Sequence, residues 1–280
     1  SVAGGPQTAP ERAVDLGATC LQLFTKQANR WAEPDLTRPD LAAKFEQYRE
    51  EVIRHGIRVH GSHDSYLINL STPDPALWDR SVEAFEGELR RCHALGLDFV
   101  VTHPGNATDG ELTAGRTRNA VGVTRALEAV PEGTRVLLEI TAGAGTTVGA
   151  TLEGLQEIIE QIPPAQRHRV GVCFDTCHAY SAGYDLVNDY EGVWAAFDDV
   201  LGLDRLGLFH LNDSKHPFDS RKDRHEEIGL GTLGEEPFRR LMTDDRFVSI
   251  PKILETPKGD DMVSGDRRAL ALLRRFRAEG

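Results

Sequence analysis

The stretch VGVCFDTCHAY, residues 170–180, decides the fold. Its opening run of short apolar and β-branched side chains predicts a strand over Val170–Asp175. Similar runs flank it on both sides. Strands are predicted at Cys20–Phe24, Ile57–His60, Phe99–Thr102 and Val136–Ile140 before it, and at Leu206–Leu211 and Lys252–Glu255 after it. Amphipathic stretches lie between and around them: Pro10–Gly17, Leu41–His55, Pro75–Leu95, Ala114–Ala129, Leu152–Ile162, Tyr190–Val200, Glu236–Met242 and Gly265–Ala278. In the third of these, Leu77, Val82, Phe85, Leu89 and Cys92 recur at helical spacing. Strict alternation of strand and helix implies a parallel sheet covered by helices.

Eight helical stretches and seven strands leave a closed (β/α)8 TIM barrel one strand short. The missing first strand would precede Ser1, and the sequence has no initiator Met. The expectation is therefore a single α/β TIM-barrel domain over residues 1–280 that lacks its first strand. A doubly wound open sheet would carry a phosphate-binding loop after an early strand. No GxGxxG or GxxxxGK[ST] follows any strand here.

The 280 residues are 40% apolar and 27% charged, an ordinary globular composition. No apolar run approaches the roughly 18 residues of a membrane span. The opening SVAGGPQTAP has neither the basic region nor the apolar core of a signal peptide. Four cysteines, Cys20, Cys92, Cys173 and Cys177, are too few for a disulfide scaffold, and a cytoplasmic location is expected. Cys173 and Cys177 form a CxxxC pair that could ligate metal, but a lone pair of this kind usually packs as small hydrophobes. A net charge of −12 argues against a general electrostatic grip on nucleic acid. It does not exclude a local one, because divalent ions can outweigh the carboxylates that hold them.

In a barrel of this kind, functional groups sit at the C-terminal ends of the strands. Those ends carry His63 in HGSHDSYLINL, His103 in VTHPG and Glu139 in LLEITAG. Further along they carry Asp175 with His178, His210 in LFHLNDSK with Asp223 and His225 in its loop, and Glu255 in ILET. Each alone has an ordinary explanation. A strand-end histidine is commonly a hydrogen-bonded, half-buried residue, and a strand-end acid commonly caps the next helix. The coincidence changes the reading, since six of the seven strands deliver such a residue to one face and five of the ten histidines take part. Imidazole with carboxylate suits zinc, manganese or iron. A single catalytic zinc uses about three protein ligands, so nine candidates imply two or three ions. Ions roughly 3.5–4 Å apart clamp a phosphoryl group in transfer. His55, His93 and His168 fall at the opposite end, whereas His60 and His216 lie near the mouth without a definite assignment.

HDSYLINL, the strand-end HPG, ExTAG, VGVCFDTCHAYSAGYD, HLNDSK, SRKDRHEEIGLG and ILET together resemble endonuclease IV, the abasic-site endonuclease family of base-excision repair. The resemblance runs from Ser1–Gly5, through LFTK at Leu23–Lys26, to Glu255. It implies three zinc ions, with manganese a possible occupant of some sites. By that resemblance His63, His103 and Glu139 hold the first ion, and Glu139 bridges to a second completed by Asp175, His210 and Glu255. His178, Asp223 and His225 hold the third. The implied reaction is hydrolysis of the phosphodiester 5′ to an abasic deoxyribose in double-stranded DNA, giving 3′-hydroxyl and 5′-deoxyribose phosphate ends. Glu139 and Glu255 would position the ions and orient the attacking water, and trimming of blocked 3′ ends is a further implied activity.

Recognition would proceed by bending the duplex and extruding the sugar. Tyr66 and Leu67 match the family's wedge residues; the plain alternative is an aromatic covering the barrel mouth. In KQANRW the chain departs from the family, which has an inserting Arg two residues before the Trp. Asn29 stands there, with Arg30 one residue later: either Arg30 takes over the wedge through a changed loop, or insertion on that side is weaker. Lys215 and Arg224 are further candidates for phosphate contact. Two other functions compete: a metal-dependent sugar isomerase or epimerase, which needs only one or two ions, and a damage-binding protein without catalysis. A monomer is expected, because one duplex binds across one barrel mouth.

Overall fold

The computed structural model describes residues 2–130 and 132–280, so Ser1, the first residue of the family-like N-terminal stretch, lies outside the described residues. The chain forms two compact units. The first comprises Ser1–Leu138, Thr146–Val148 and Glu157–Gly171; the second comprises Glu139–Gly145, Gly149–Gln156 and Val172–Gly280. Seven parallel strands are found among the described residues, the number expected.

The first unit runs α1 (Ala9–Asp15), β1 (Cys20–Leu23), α2 (Pro39–Arg54), β2 (Val59–His63), α3 (Pro75–Leu95), β3 (Phe99–Thr102), α4 (Leu112–Ala129) and β4 (Arg135–Glu139), whose last residue, Glu139, belongs to the second unit. Strands β1 to β4 pair in sequence order, each parallel to the last. Helix α3 shows how local chemistry sets its ends. Pro75 opens it with a backbone that needs no hydrogen-bond partner, and the Asp74 carboxylate accepts from the N–H groups of Ala76 and Leu77 at 2.9 and 3.1 Å. Gly96 closes it in the left-handed region at φ 72°. Val82, Phe85, Leu89 and Cys92 are fully buried on its inner stripe, while Leu77 is only half-buried.

Helix α5 (Leu152–Gln161) leads to β5 (Val170–Asp175). The second unit continues with α6 (Thr176–Ser181), α7 (Tyr190–Val200), β6 (Leu206–His210), the two-residue strands β7 (Asp213–Ser214) and β8 (His225–Glu226), α8 (Glu236–Thr243), β9 (Lys252–Ile253) and α9 (Ser264–Glu279). Within it β5 pairs with β6 and β6 with β9, all parallel, and the Ile140 N–H donates to the Cys173 carbonyl at 3.0 Å. Its core is an aromatic cluster in which Trp194 packs on Phe174 and Phe247 with ring centroids 4.7 and 4.5 Å apart.

Two strand boundaries and two short elements differ from expectation in ways that bear on the site. Strand β2 ends at His63, three residues beyond the expected end, so His63 is the strand's last residue and not part of the following loop. Strand β9 stops at Ile253 and leaves Glu255 on the loop after it. Residues 176–181, where no element is expected, form α6, and the β7–β8 hairpin likewise lies outside the expected elements. Both elements are too short to leave a periodic pattern in the sequence.

His60 also corrects its placement near the mouth. It sits at the start of β2, packed on Tyr48 of α2, with its Nδ1 3.0 Å from the Tyr48 hydroxyl and its backbone N–H donating to Asp98. Burial lowers its pKa below 6.5, against the opposing pull of Asp98. The unfolded chain then takes up this proton before the folded one does. The stabilisation is fully present above about pH 6.5 and is lost as pH falls through the depressed folded value. His60→Gln is expected to flatten the acid side of the thermal-stability profile, by up to about 1.4 kcal/mol per pH unit, the slope of one proton. An unchanged profile would show that His60 makes no such contribution.

Candidate metal centre

In the first unit, His63 and His103 stand at the ends of adjacent parallel strands, with ring centroids 5.2 Å apart and planes at 81°. The His63 Nδ1 lies 3.0 Å from the Asp64 carbonyl, which leaves Nε2 to face away from the backbone. Asp64, itself buried, is held by the Thr102 hydroxyl at 2.6 Å. Thr102 pairs with Leu138 across β3 and β4, and Glu139 is the next residue in the chain.

The second unit gathers seven of the nine expected ligands into two clusters. In one, Glu139, Asp175, His210 and Glu255 present ligand atoms that all lie within 4.8 Å of one another. The His210 Nδ1 is 3.0 Å from Glu139 Oε1, 3.3 Å from Glu255 Oε2 and 3.8 Å from Asp175 Oδ2. In the other, His178, Asp223 and His225 meet within the same limit. His178 Nε2 lies 3.2 Å from Asp223 Oδ1 and 3.3 Å from His225 Nε2. The clusters adjoin, for His225 Nε2 is 3.6 Å from Asp175 Oδ2 and His178 Nδ1 is 3.3 Å from Glu139 Oε1.

Helix α6 supplies His178. Asp175 caps that helix by accepting from the His178 backbone N–H at 2.8 Å with one oxygen, while its other oxygen faces the cluster. The capping role and the ligand role therefore coexist in one carboxylate. The β7–β8 hairpin carries His225 back toward Glu255, whose carbonyl lies 3.2 Å from His225 Nδ1.

The donor set fits divalent cations on geometry. His178 Nδ1 faces the Ile140 carbonyl at 3.0 Å and His225 Nδ1 faces the Glu255 carbonyl, so each ring turns Nε2 into the cluster, as outer partners do around metal sites. The charge pattern agrees. Burial alone would depress the pKa of His178, but Asp175, Asp223 and Glu139 outweigh it and hold the value well above 6.5. At His210 burial is likewise outweighed by the facing carboxylates of Glu255 and Glu139, and the pKa again stands well above 6.5. So much buried carboxylate around imidazole calls for positive charge.

Two residues escaped sequence reasoning. Asn212, fully buried, donates its side-chain N–H to Asp175 Oδ2 at 2.6 Å and accepts the Glu255 backbone N–H at 2.8 Å, locking two ligands together. Asp213, also buried, accepts from the N–H groups of Gly229, Gly231 and Leu233 and shapes that loop. Both belong to HLNDSK, where polar residues directly after a buried strand were the available signal. His216 joins no metal-type cluster among the described residues. Cys173 and Cys177 are fully buried, and burial pushes both thiols up to about 12, so they are neutral near pH 7. The expected DNA contacts lie outward. Tyr66 is 66% exposed and packs edge-on against Phe24, Leu67 is half-buried, and Arg30, Lys215 and Arg224 are exposed.

A family model described as a xylose isomerase-like TIM barrel matches residues 10–278, which establishes the barrel fold. The protein named probable endonuclease 4 of Geobacter sulfurreducens is 48% identical over 265 residues, spanning 93% of this chain and 87% of the relative. The protein of that name in Trichlorobacter lovleyi is 46% identical, spanning 98% of this chain and 96% of the relative. Endonuclease IV from Thermus thermophilus superposes with a TM-score of 0.85 at 34% identity, covering 99% of this chain and 95% of that one. A D-tagatose 3-epimerase-like protein shares the fold alone, with a TM-score of 0.73 at 17% identity.

Proposed function

This chain belongs to the endonuclease IV family, and on that premise we propose that it hydrolyses the DNA phosphodiester bond 5′ to abasic sites with three divalent ions. The observation that carries the reading is the convergence of Glu139, Asp175, His178, His210, Asp223, His225 and Glu255 in two adjoining clusters. His63, His103 and Glu139 would hold the first ion; Glu139, Asp175, His210 and Glu255 the second; and His178, Asp223 and His225 the third. Zinc suits this donor set best, with manganese an alternative occupant. Bound ions of this type lower the pKa of water and neutralise charge on a phosphoryl group in transfer.

The chain's own residues supply the rest. The Glu255 carboxylate reaches the cluster from a loop whose backbone is tied to Asn212 and His225, so it is held ready to orient the attacking water. Glu139, fully buried, offers one oxygen toward both His210 and His178 and so links the two clusters. Tyr66 and Leu67 would fill the gap left by the extruded sugar. The same centre would trim blocked 3′ ends. The protein would act as a monomeric, single-domain enzyme of the cytoplasm; no helix among the described residues is long and apolar enough to cross a membrane.

A duplex with one abasic analogue tests the reading. Incision on the 5′ side of the lesion is expected, with an intact duplex left uncut and no epimerisation of ketoses. Binding without incision would favour a damage-binding protein. Ketose turnover without incision would favour the epimerase relatives in fold.

A further inference from the structure

The loop between β1 and α2 carries Asn29 and Arg30, and a network of hydrogen bonds and ion pairs seats it on α3. Thr25 Oγ donates to the Glu88 carboxylate at 2.8 Å and accepts from Arg91 Nε at 2.8 Å. Arg91 also pairs with Glu88 at 2.6 Å and with Glu33, and Glu33 takes the Lys26 ammonium as well. Lys26 further donates to the Trp31 carbonyl at 3.2 Å. Glu88 and Arg91 are each only 1% exposed. A Cβ at Gly87 would stand 2.7 Å from Glu33 Oε2, so the Glu33 carboxylate packs directly against the bare backbone of α3 at Gly87. On its other side the loop is held by Ser65 Oγ, which donates to the Ala28 carbonyl at 2.6 Å.

This clamp fixes Trp31, and the Arg80 guanidinium lies over its ring, 4.4 Å from the centroid. Trp31, Ala32, Glu33, Arg80, Glu83 and Ala84 line a cavity of about 210 Å³ there. Lys26, Arg90, Arg91 and Arg125 around this part of the unit all have carboxylate partners. Arg80 and Arg30 are exposed and have none among the described residues, and the remaining exposed carboxylate of the cavity wall, Glu83, pairs with neither. The Arg80 guanidinium over Trp31, and that of Arg30 next to Trp31 in sequence, thus have no carboxylate partner among the described residues of a chain with net charge −12.

We propose that Arg80, held over the Trp31 ring, is a DNA-backbone contact that works beside Arg30. Attraction to the ring face orders the guanidinium in advance, and its N–H groups suit phosphate oxygens. Such a contact positions the duplex without reading a base. The inference rests on the endonuclease reading, and the experiment separates the two. Incision of an abasic duplex is measured across a range of salt concentration for the wild type, Arg80→Ala, Arg80→Gln and Arg125→Ala. Each phosphate neutralised contributes about 0.9 to the salt slope. Arg80→Ala is expected to lower kcat/KM about fivefold, mainly through KM, and to reduce the slope of log kcat/KM against log salt by about 0.9. Arg80→Gln keeps most of the side chain over Trp31 and is expected to lose the same slope, which separates lost charge from lost packing. Arg125 is the matched control: it lies over Trp78 at 5.4 Å but is paired with Asp79, so Arg125→Ala is expected to keep the wild-type slope. Wild-type slopes for both Arg80 variants, with the wild type incising normally, would overturn the contact alone. A wild type that fails to incise abasic duplex would overturn the endonuclease reading and the contact with it.

Discussion

Glu255→Gln is expected to cut turnover on abasic duplex by roughly 10²–10⁴-fold, the range lost with a positioned acid–base group. The fold should survive, for three reasons. The side chain sits on a loop and is partly exposed, its backbone N–H is held by Asn212, and its carbonyl faces His225 Nδ1. None of these contacts uses the carboxylate charge, and Gln matches Glu in shape. What disappears is the anionic oxygen 3.3 Å from His210 Nδ1. The expected signature is therefore a fall in kcat with an unchanged thermal midpoint and near-wild-type affinity for the abasic duplex. Unchanged turnover would remove Glu255 from its assigned role.

Removal of divalent ions is expected to have a still broader effect. A strong chelator should reduce incision by at least about 10³-fold, because water activation and charge neutralisation vanish together. Restored zinc should return activity, and metal analysis of the loaded protein should find about three ions per chain, each needing roughly three protein ligands. His178→Ala supplies an internal check. It removes one member of the His178, Asp223, His225 cluster and leaves Glu139, Asp175, His210 and Glu255 in place, so it should lower the metal content by one ion. A fully loaded wild-type protein with only one or two ions would overturn the three-ion reading and favour an isomerase-type centre.

Much of this was legible without coordinates. The helices at 75–95 and 190–200 have the boundaries their apolar spacing and caps predict, and the strand at 170–175 likewise. Strand-end chemistry was legible too, since a residue that terminates a buried parallel strand is delivered to one face by the fold itself. Less legible was His63. Its segment, VHGSH, has too little β-branched apolar character to announce that the strand runs on to the histidine. Asn212 was invisible because its importance comes from two partners, Asp175 and Glu255, that are 37 and 43 residues away.

By itself the sequence determined the alternating β/α order and the set of nine candidate ligands. These follow from side-chain periodicity and residue type, which are local properties of the chain. Tertiary structure alone decided which nitrogen of each histidine faces the ligands, how Asp175 serves a helix cap and a cluster together, and why Arg80 lies on Trp31. Several of those outcomes depend on groups far apart in the chain, such as His178 and Ile140, 38 residues apart, or Arg91 and Thr25, 66 apart. Contacts of that range exist only once loop closure has been completed and the apolar core has formed around them.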